Sequence, residues 1–412
     1  MNSQVLIVGG GMITHDQILP SVLQMQRRGE VGEVSVVAQH GRTVKALRDA
    51  AAIQRAFPDS TFQCFPDPDS ADQAPKPALY KDLIAAMPPR NIVIVALPDQ
   101  LHFEAVMEAL AHDQHVCCVK PLVLTARESS EIEREAFRRG LVVGIEYHKR
   151  FDDRSLRARA AYRNGMFGEF RLGTAHLMEK WNYRHSNFQN WCTVENSDAF
   201  TYIGCHYVDL IHYITGLLPV SVTSYGIRDK YPNGNEGFLW CDTRVLWNNG
   251  AALNVQTSLS YPDEGPGPNT QGLTMHCAGD GKGALLDHSD QYRGLSYCYI
   301  RKPDSAGGTC YAEPSPDYFQ YNDLGETGMT PVGYGVRSVE FIVRQCLLTN
   351  GSLTERQARL KELDARGILA TPANSLYNEL VMEAGRLSIL NGAREAIIEY
   401  EPEPRVRLKE YS

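Results

Sequence analysis

Three short segments hold residue types that do chemistry: Gly9-Gly10-Gly11 after an apolar run, Lys120-Pro121 after another, and Gly204-Cys205-His206-Tyr207-Val208-Asp209. Glycines between a strand and a helix let the backbone turn sharply and approach a pyrophosphate, whose charge is favoured at the helix N-terminus. Gly9-x-Gly11-x-x-Thr14 has that spacing, with Thr14 where a Gly or Ala would ease helix packing. A histidine such as His206 titrates near ambient pH, as a general acid or base requires. A buried lysine can have its pKa lowered and share in proton transfer. Tyr202, four residues before His206, shares its face if the segment is helical. His206, Asp209 and His212 lack a complete metal-ligand set, and Asp209 reads as structural.

These residues need elements to hold them. Val5-Leu6-Ile7-Val8 is a continuous apolar run bounded by glycines, as expected for a parallel strand buried on both faces. Similar runs follow at Val34 to Val37, Asn91 to Ala96, Val116 to Val119 and Leu141 to Ile145. Helical patterns lie between them at Ile18 to Arg28, Thr43 to Phe57, Ala78 to Ala86, Leu101 to His112 and Thr125 to Arg139. This alternation predicts right-handed crossovers and a doubly wound parallel sheet over residues 1–150. The stretch Pro66 to Pro77 reads as a surface loop.

Residues 151–412 read as an α+β domain with a large open, mainly antiparallel sheet. Its strands are expected at Glu169 to Leu177, Val220 to Gly226, Cys241 to Trp247 and Ala251 to Ser260. Asn248-Asn249-Gly250 predicts a tight hairpin, because Asn and Gly tolerate positive φ. Val339, Ile342, Val343, Cys346 and Leu347 recur at helical spacing, as do Leu376, Leu380, Ala384 and Leu387. Asn350-Gly351 and Asn391-Gly392 supply stops, and Pro262 to Asn269 reads as a loop between strands.

The 412 residues suffice for two domains with substantial cores, and 43% hydrophobic with 22% charged residues is a globular composition. A formal net charge of -8 without a dense Lys/Arg stripe would repel a nucleic-acid backbone, leaving small-molecule chemistry. No apolar stretch approaches the roughly 20 residues needed to span a bilayer, and the N-terminus lacks the basic flank of a secretion signal. A cytoplasmic protein with reduced, scattered cysteines is the expectation.

With the glycine turn first, Pro98-Asp99-Gln100-Leu101-His102 and Val119-Lys120-Pro121 next, then Tyr147-His148-Lys149-Arg150-Phe151 and Gly204-x-His206-x-x-Asp209, the chain resembles the Gfo/Idh/MocA family of oxidoreductases. The likeness spans most of the chain. It implies a Rossmann domain followed by an α/β domain whose open sheet covers the nicotinamide and often builds an oligomer interface. Pro98 and His102 match the family's P-x-x-x-H loop, and Lys120-Pro121 matches its E-K-P motif with Val119 in place of Glu. Tyr202 stands where many members carry Asp, and His148 where the family often has Asn.

The resemblance implies an NAD(P)-dependent oxidoreductase moving a hydride between nicotinamide and a secondary alcohol or ketone of a sugar, inositol or related polyol. It puts His206 in the general-base role, with Lys120 hydrogen-bonded to the same substrate oxygen; Tyr202 would orient the imidazole or serve as a second proton donor. Gly9, Gly11, Met12, Ile13, Leu97, Pro98, His102, Lys120 and Pro121 are the expected cofactor-binding residues. At the ribose end no carboxylate follows the second strand. Arg42 could pair with a 2′-phosphate, or Gln39 or His40 could bind an unmodified ribose, giving NADP a slight edge over NAD. His148, Trp181, Tyr183 and Arg184 are expected at the substrate, since aromatic rings interleaved with polar groups suit a sugar. Two other readings use the same scaffold: a glycosidase-like enzyme working through transient sugar oxidation, and a nucleotide-binding regulator without catalysis. A homodimer or homotetramer is expected from the open sheet.

Overall fold

The structure is a computed structural model describing residues 3–70, 74–289, 297–300, 309–312, 317–325 and 327–410. Six parallel strands form one sheet: β1 (Val5–Val8), β2 (Val34–Val37), β3 (Gln63–Phe65), β4 (Ile92–Val95), β5 (His115–Val119) and β6 (Val143–Glu146), ordered β3-β2-β1-β4-β5-β6. Every residue of β1, β4, β5 and β6 is buried, as strands covered on both faces must be. Val8 lies beside Val37 and Val95, Val95 beside Cys118, and Val119 beside Glu146, so the residues that follow these strands share one edge. The strand order reverses between β1 and β4, and such a switch point is where open α/β sheets bind ligands.

Helices α1 (Leu19–Arg27), α2 (Gly41–Arg48), α3 (Ala51–Ala56), α4 (Leu79–Ala86), α5 (His102–Ala111) and α6 (Ala126–Arg139) alternate with the strands. The single helix expected over Thr43 to Phe57 is two, because Ala50 is extended with ψ 114°. No apolar run announces the short, partly exposed β3, which sits at the sheet edge and pairs on one side only. The loop expected over Pro66 to Pro77 follows β3; its residues 71–73 lie outside the described residues.

Downstream come α7 (Asp153–Arg163), β7 (Phe170–Lys180), α8 (Cys205–Thr215), β8 (Pro219–Lys230), β9 (Glu236–Trp247), β10 (Ala252–Tyr261), β11 (Asn269–Cys277) and β12 (Ala284–Ser289). Two small pairs follow, β13 (Tyr297–Ile300) with β14 (Thr309–Ala312) and β15 (Gln320–Asn322) with β16 (Thr330–Val332), and later β17 (Ala396–Glu399) and β18 (Arg405–Leu408). The large sheet runs β12-β11-β7-β10-β9-β8-β17-β18 and is antiparallel except where β7 pairs β10. The β9–β10 hairpin turns where Asn248-Asn249-Gly250 predicts, with Gly250 at φ +81°. Pro262 to Asn269 connects β10 to β11 as expected.

The chain divides into two compact units. One comprises Met1–Val123, Glu128–Phe151 and Asp317–Ser375; the other comprises Leu124–Arg127, Asp152–Pro316 and Leu376–Ser412. The division falls at Phe151, beside the expected boundary at 150, and Asp317–Ser375, expected with residues 151–412, groups with the first unit. Helix α9 (Tyr334–Leu348) is the physical reason: it buries Val339, Ile342, Val343 and Cys346 in the core that holds Ile7, Ile94, Cys117 and Val142. Helix α10 (Leu353–Arg366) adds Leu360 and Leu363 to the same core. Periodicity identified the α9 stripe but carries no information about which sheet it covers. In the second unit, α11 (Pro372–Leu390) buries Leu380 and Ala384, and Gly392 follows its end at φ +68°.

Ile342 packs so closely on β6 that a Cβ on Gly144 would lie 2.6 Å from its Cγ2. Ile342→Ala is expected to cost about 3 kcal/mol in a urea titration. A cost below about 0.5 kcal/mol would place α9 outside this core.

Candidate active site

In the first unit the glycine turn is set by contact between strands. Gly9 has φ +115°, and a Cβ there would lie 2.0 Å from the Ala96 carbonyl oxygen at the end of β4. A Cβ on Gly10 would meet the Thr43 methyl at 2.9 Å, whereas one on Gly11 would point into open space. Met12 and Ile13 begin the helical segment, which passes through a π-helical turn, Thr14–Ile18, into α1. Thr14, the departure from Gly or Ala, is buried and donates its hydroxyl to the Gly9 carbonyl at 2.7 Å, so its polar atom is satisfied inside the turn. The exposed backbone at Gly11 and the helix N-terminus fit the pyrophosphate of a dinucleotide. Gln39 and His40 follow β2, and Arg42 lies exposed on the first turn of α2.

Leu97 and Pro98 follow β4, and Lys120-Pro121, joined by a cis peptide, follows β5. His102, expected at the cofactor, is fully buried at the start of α5 and contacts backbone carbonyls. Its Nδ1 lies 2.8 Å from the Pro121 carbonyl and 3.2 Å from that of Leu122, while Nε2 lies 2.8 Å from the Leu97 carbonyl. Carbonyl oxygens only accept, and a neutral imidazole has a single N–H. Both sides are satisfied only when the ring carries two protons. Burial opposes that charge, and Cys118, Asp99 and the Leu97 carbonyl outweigh it, pushing His102 up to about 10. The ring thereby ties the loop after β4 to the loop that carries Lys120.

His148, just beyond β6 on the same edge, is 14% exposed and places Nδ1 3.2 Å from Glu146 Oε2. Around it stand residues to which the sequence reading gave no role: Gln17, Glu146, Tyr318, Tyr334 and Ser338. They come from four separated stretches, so spacing could not have joined them. A buried-pattern Gln on the α1 approach and the Glu146-x-His148 pair were the only local signals.

In the second unit His206 is buried in the first turn of α8, behind a π-helical turn, Phe200–Gly204. Gly204 is required there, since a Cβ would lie 2.4 Å from the Phe200 ring. Asp209 accepts the Tyr377 hydroxyl at 2.8 Å, and the Tyr377 ring stacks on His212 with centroids 3.9 Å apart. Asn378 donates to the Cys205 carbonyl at 3.0 Å, so α11 clamps the helix that bears His206. Tyr202 meets Phe188 and Trp191 edge-on, with centroids at 4.7 and 5.7 Å, and Tyr183 stacks on Phe188 at 5.5 Å.

Arg184, expected to bind substrate, is buried between its own segment and strands β8, β9 and β10. Its Nε donates to the Leu259 carbonyl and Nη1 to Asp229, both at 2.7 Å, and its guanidinium lies over the rings of Trp181 and Trp240 at 3.7 and 4.3 Å. A guanidinium suits that sandwich through cation–π attraction. Trp181 keeps 41% of its surface exposed.

Residues 3–147 match the family described as "Oxidoreductase family, NAD-binding Rossmann fold", and residues 155–278 match the "GFO/IDH/MocA C-terminal domain". The chain belongs to the Gfo/Idh/MocA oxidoreductase family. It is 28% identical over 152 residues to D-glucoside 3-dehydrogenase of Escherichia coli, covering 35% of this chain and 41% of that protein. It is 25% identical over 139 residues to scyllo-inositol 2-dehydrogenase (NADP(+)) of Bacillus subtilis, covering 33% of this chain and 38% of that protein. Its sequence thus spans about two fifths of the curated relatives it matches. The fold is shared with myo-inositol 2-dehydrogenase from Lactobacillus plantarum at 14% identity and TM-score 0.65, covering 97% of this chain and 100% of that one. No helix among the described residues is long and apolar enough to cross a membrane.

Because His102 is held up to about 10, above the roughly 6.5 of an unfolded histidine, its charge stabilises the fold fully below about pH 6.5 and this contribution is lost as pH rises toward 10. His102→Gln is expected to lower the thermal midpoint most near pH 6, with the gap to the parent chain closing toward pH 10. A gap independent of pH would mean a neutral ring.

Proposed function

We propose that this chain is an NAD(P)-dependent dehydrogenase or reductase acting on a secondary alcohol or ketone of a sugar, inositol or related polyol. The observation that carries the reading is the position of Lys120: directly after β5, on the edge shared with the glycine turn, in a loop fastened by a buried imidazolium. A bound nicotinamide supplies the hydride acceptor or donor. Lys120 donates a hydrogen bond to the substrate oxygen and stabilises the charge that develops on it. His206, fixed on α8, takes the hydroxyl proton in oxidation and returns it in reduction. Tyr202 orients that imidazole or offers a second proton, and Tyr183 and the exposed face of Trp181 supply apolar contact to the sugar. Arg184 orders their loop.

The sugar and inositol dehydrogenases among the relatives support this substrate class. Arg42, at the N-terminus of α2, supports NADP. The outward face of the large sheet presents Leu172, Tyr225, Ile227 and Leu285, which supports burial against a second copy in a dimer or tetramer. We place the protein in the cytoplasm, where nicotinamide cofactors and reduced thiols coexist.

The test is titration with NAD(H) and NADP(H), followed by a sugar and polyol panel read at the nicotinamide absorbance band. Lys120→Ala and His206→Ala are each expected to lower kcat by about a thousandfold with nucleotide Kd changed by less than about threefold. Near-normal kcat in either variant would reject the assigned chemistry. Arg42→Ala is expected to weaken NADP(H) by about tenfold and NAD(H) far less. Equal losses would reject phosphate pairing.

A further inference from the structure

The second unit contains a polar cavity to which the dehydrogenase chemistry above gives no role. It measures about 360 Å³ and lies between segment 190–195 and the facing ends of β8 and β9. That volume is at the small end of the roughly 300–1,000 Å³ of ligand pockets, room for one sugar ring and not for a dinucleotide. Side-chain amides fasten the turn between β8 and β9 to the facing segment. Asn233 donates its backbone N–H to Gln189 Oε1 and its amide to the Gln189 carbonyl and to Asn190 Oδ1, each at 3.1 Å. Asn235 donates Nδ2 to the same Gln189 carbonyl at 2.8 Å and its backbone N–H to Asn233 Oδ1 at 3.0 Å. Backbone groups continue the join: the Val194 N–H meets the Glu236 carbonyl at 2.9 Å, and the Tyr231 hydroxyl meets the Cys192 carbonyl at 2.8 Å. At Gly237 a Cβ would lie 2.7 Å from the Cys192 carbonyl oxygen, so the walls approach as closely as the backbone allows. A cavity whose walls are fixed before a ligand arrives loses little freedom when it is filled.

The groups lining the cavity have hydrogen-bonding capacity to spare. Asn190 gives one amide proton to Asn187 Oδ1 at 2.9 Å and Asn235 gives one to Gln189, which leaves each amide a second proton and leaves Asn235 Oδ1 to accept. The Arg228 guanidinium pairs with Glu236 at 3.6 Å and keeps most of its five N–H groups open. The Thr193 hydroxyl, followed by Glu195's own backbone N–H, holds the Glu195 carboxyl below the usual carboxylate range. Two carboxylates against one guanidinium leave the lining net negative, which repels an anion, and the guanidinium beside Glu236 opposes a divalent cation. Neighbouring hydroxyls suit this lining. Each hydroxyl both donates and accepts, so one ring satisfies carboxylates, amides and guanidinium together.

We propose that this cavity binds one ring of a sugar that carries no negative charge, its hydroxyls donating to Glu195, Glu236 and Asn235 Oδ1 and accepting from Arg228, Asn190 and the Asn235 amide. The proposal stands apart from the dehydrogenase reading. None of these residues takes part in the hydride or proton transfer assigned to Lys120 and His206.

Methyl NMR on the full chain labelled at valine tests this, because Val194 lines the cavity and its signal reports occupancy, with Val194→Ala assigning it. The probes are D-glucose, D-galactose and D-mannose, their 2-amino counterparts, and D-glucuronate. The expected result is a saturable displacement of the Val194 signal by at least one neutral or amino sugar, with D-glucuronate weaker by about tenfold. His206→Ala is expected to keep this response. Glu195→Gln and Glu236→Gln, which preserve shape, are each expected to weaken binding by about tenfold and together to remove the discrimination against D-glucuronate. A Val194 signal that no probe moves would overturn the proposal. So would tightest binding by D-glucuronate, affinity equal in the parent chain and both glutamine variants, or a response lost in His206→Ala, which would assign the sugar to the catalytic segment. Failure to turn over any polyol would reject the dehydrogenase reading and leave the Val194 result standing.

Discussion

The Ala96 carbonyl occupies the place where Gly9 would carry a side chain. This approach lets β1 and β4 run as neighbours while the chain leaving β1 turns at once into a helix, and it opens the crevice at the point where the strand order reverses. Everything assigned to the first unit follows from that geometry. The glycine turn, the loops after β4 and β5, and the start of the turn after β6 end on one edge because Val8 is in register with Val95, Val95 with Cys118, and Val119 with Glu146. Thr14 shows how tightly the turn is built: a side chain larger than the usual Gly or Ala is tolerated because its hydroxyl meets the Gly9 carbonyl.

Two buried histidines of this unit, His115 on β5 and His102 on α5, show how the same side chain is held in different charge states. His115 accepts the Val142 N–H through Nδ1, and burial followed by the charges of Arg356 and Arg90 pushes it down to about 4. His102 meets carbonyl oxygens on both nitrogens and lies beside Cys118 and Asp99, and it is pushed up to about 10. Burial favours the neutral ring in both, and at His102 the electrostatics of Cys118, Asp99 and the Leu97 carbonyl outweigh it.

The second unit solves a different problem, which is to hold a polar segment rigid within apolar surroundings. His206 lies in a helix whose Asp209, His212 and Cys205 carbonyl are all engaged by α11 through Tyr377 and Asn378. Phe200 packs against both Gly204 and Gly385, positions where a methyl group would collide with its ring. The aromatic loop is held by the buried guanidinium of Arg184, so the rings are arranged by a cation that is itself withdrawn from the surface.

The alternating strands and helices, the glycine turn, the hairpin at Asn248-Asn249-Gly250, and the elements carrying Lys120 and His206 were legible in the residue pattern, because each depends on neighbours within a few residues. It named His102 and Arg184 but not their burial or their backbone partners, since a residue type does not reveal which carbonyls its side chain will meet. Tertiary structure alone returned Asp317–Ser375 to the first unit and gathered Gln17, Glu146, His148, Tyr318 and Ser338 into one network. An apolar stripe requires a partner surface without specifying it, and hydrogen bonds between residues more than a hundred positions apart leave no period in the chain.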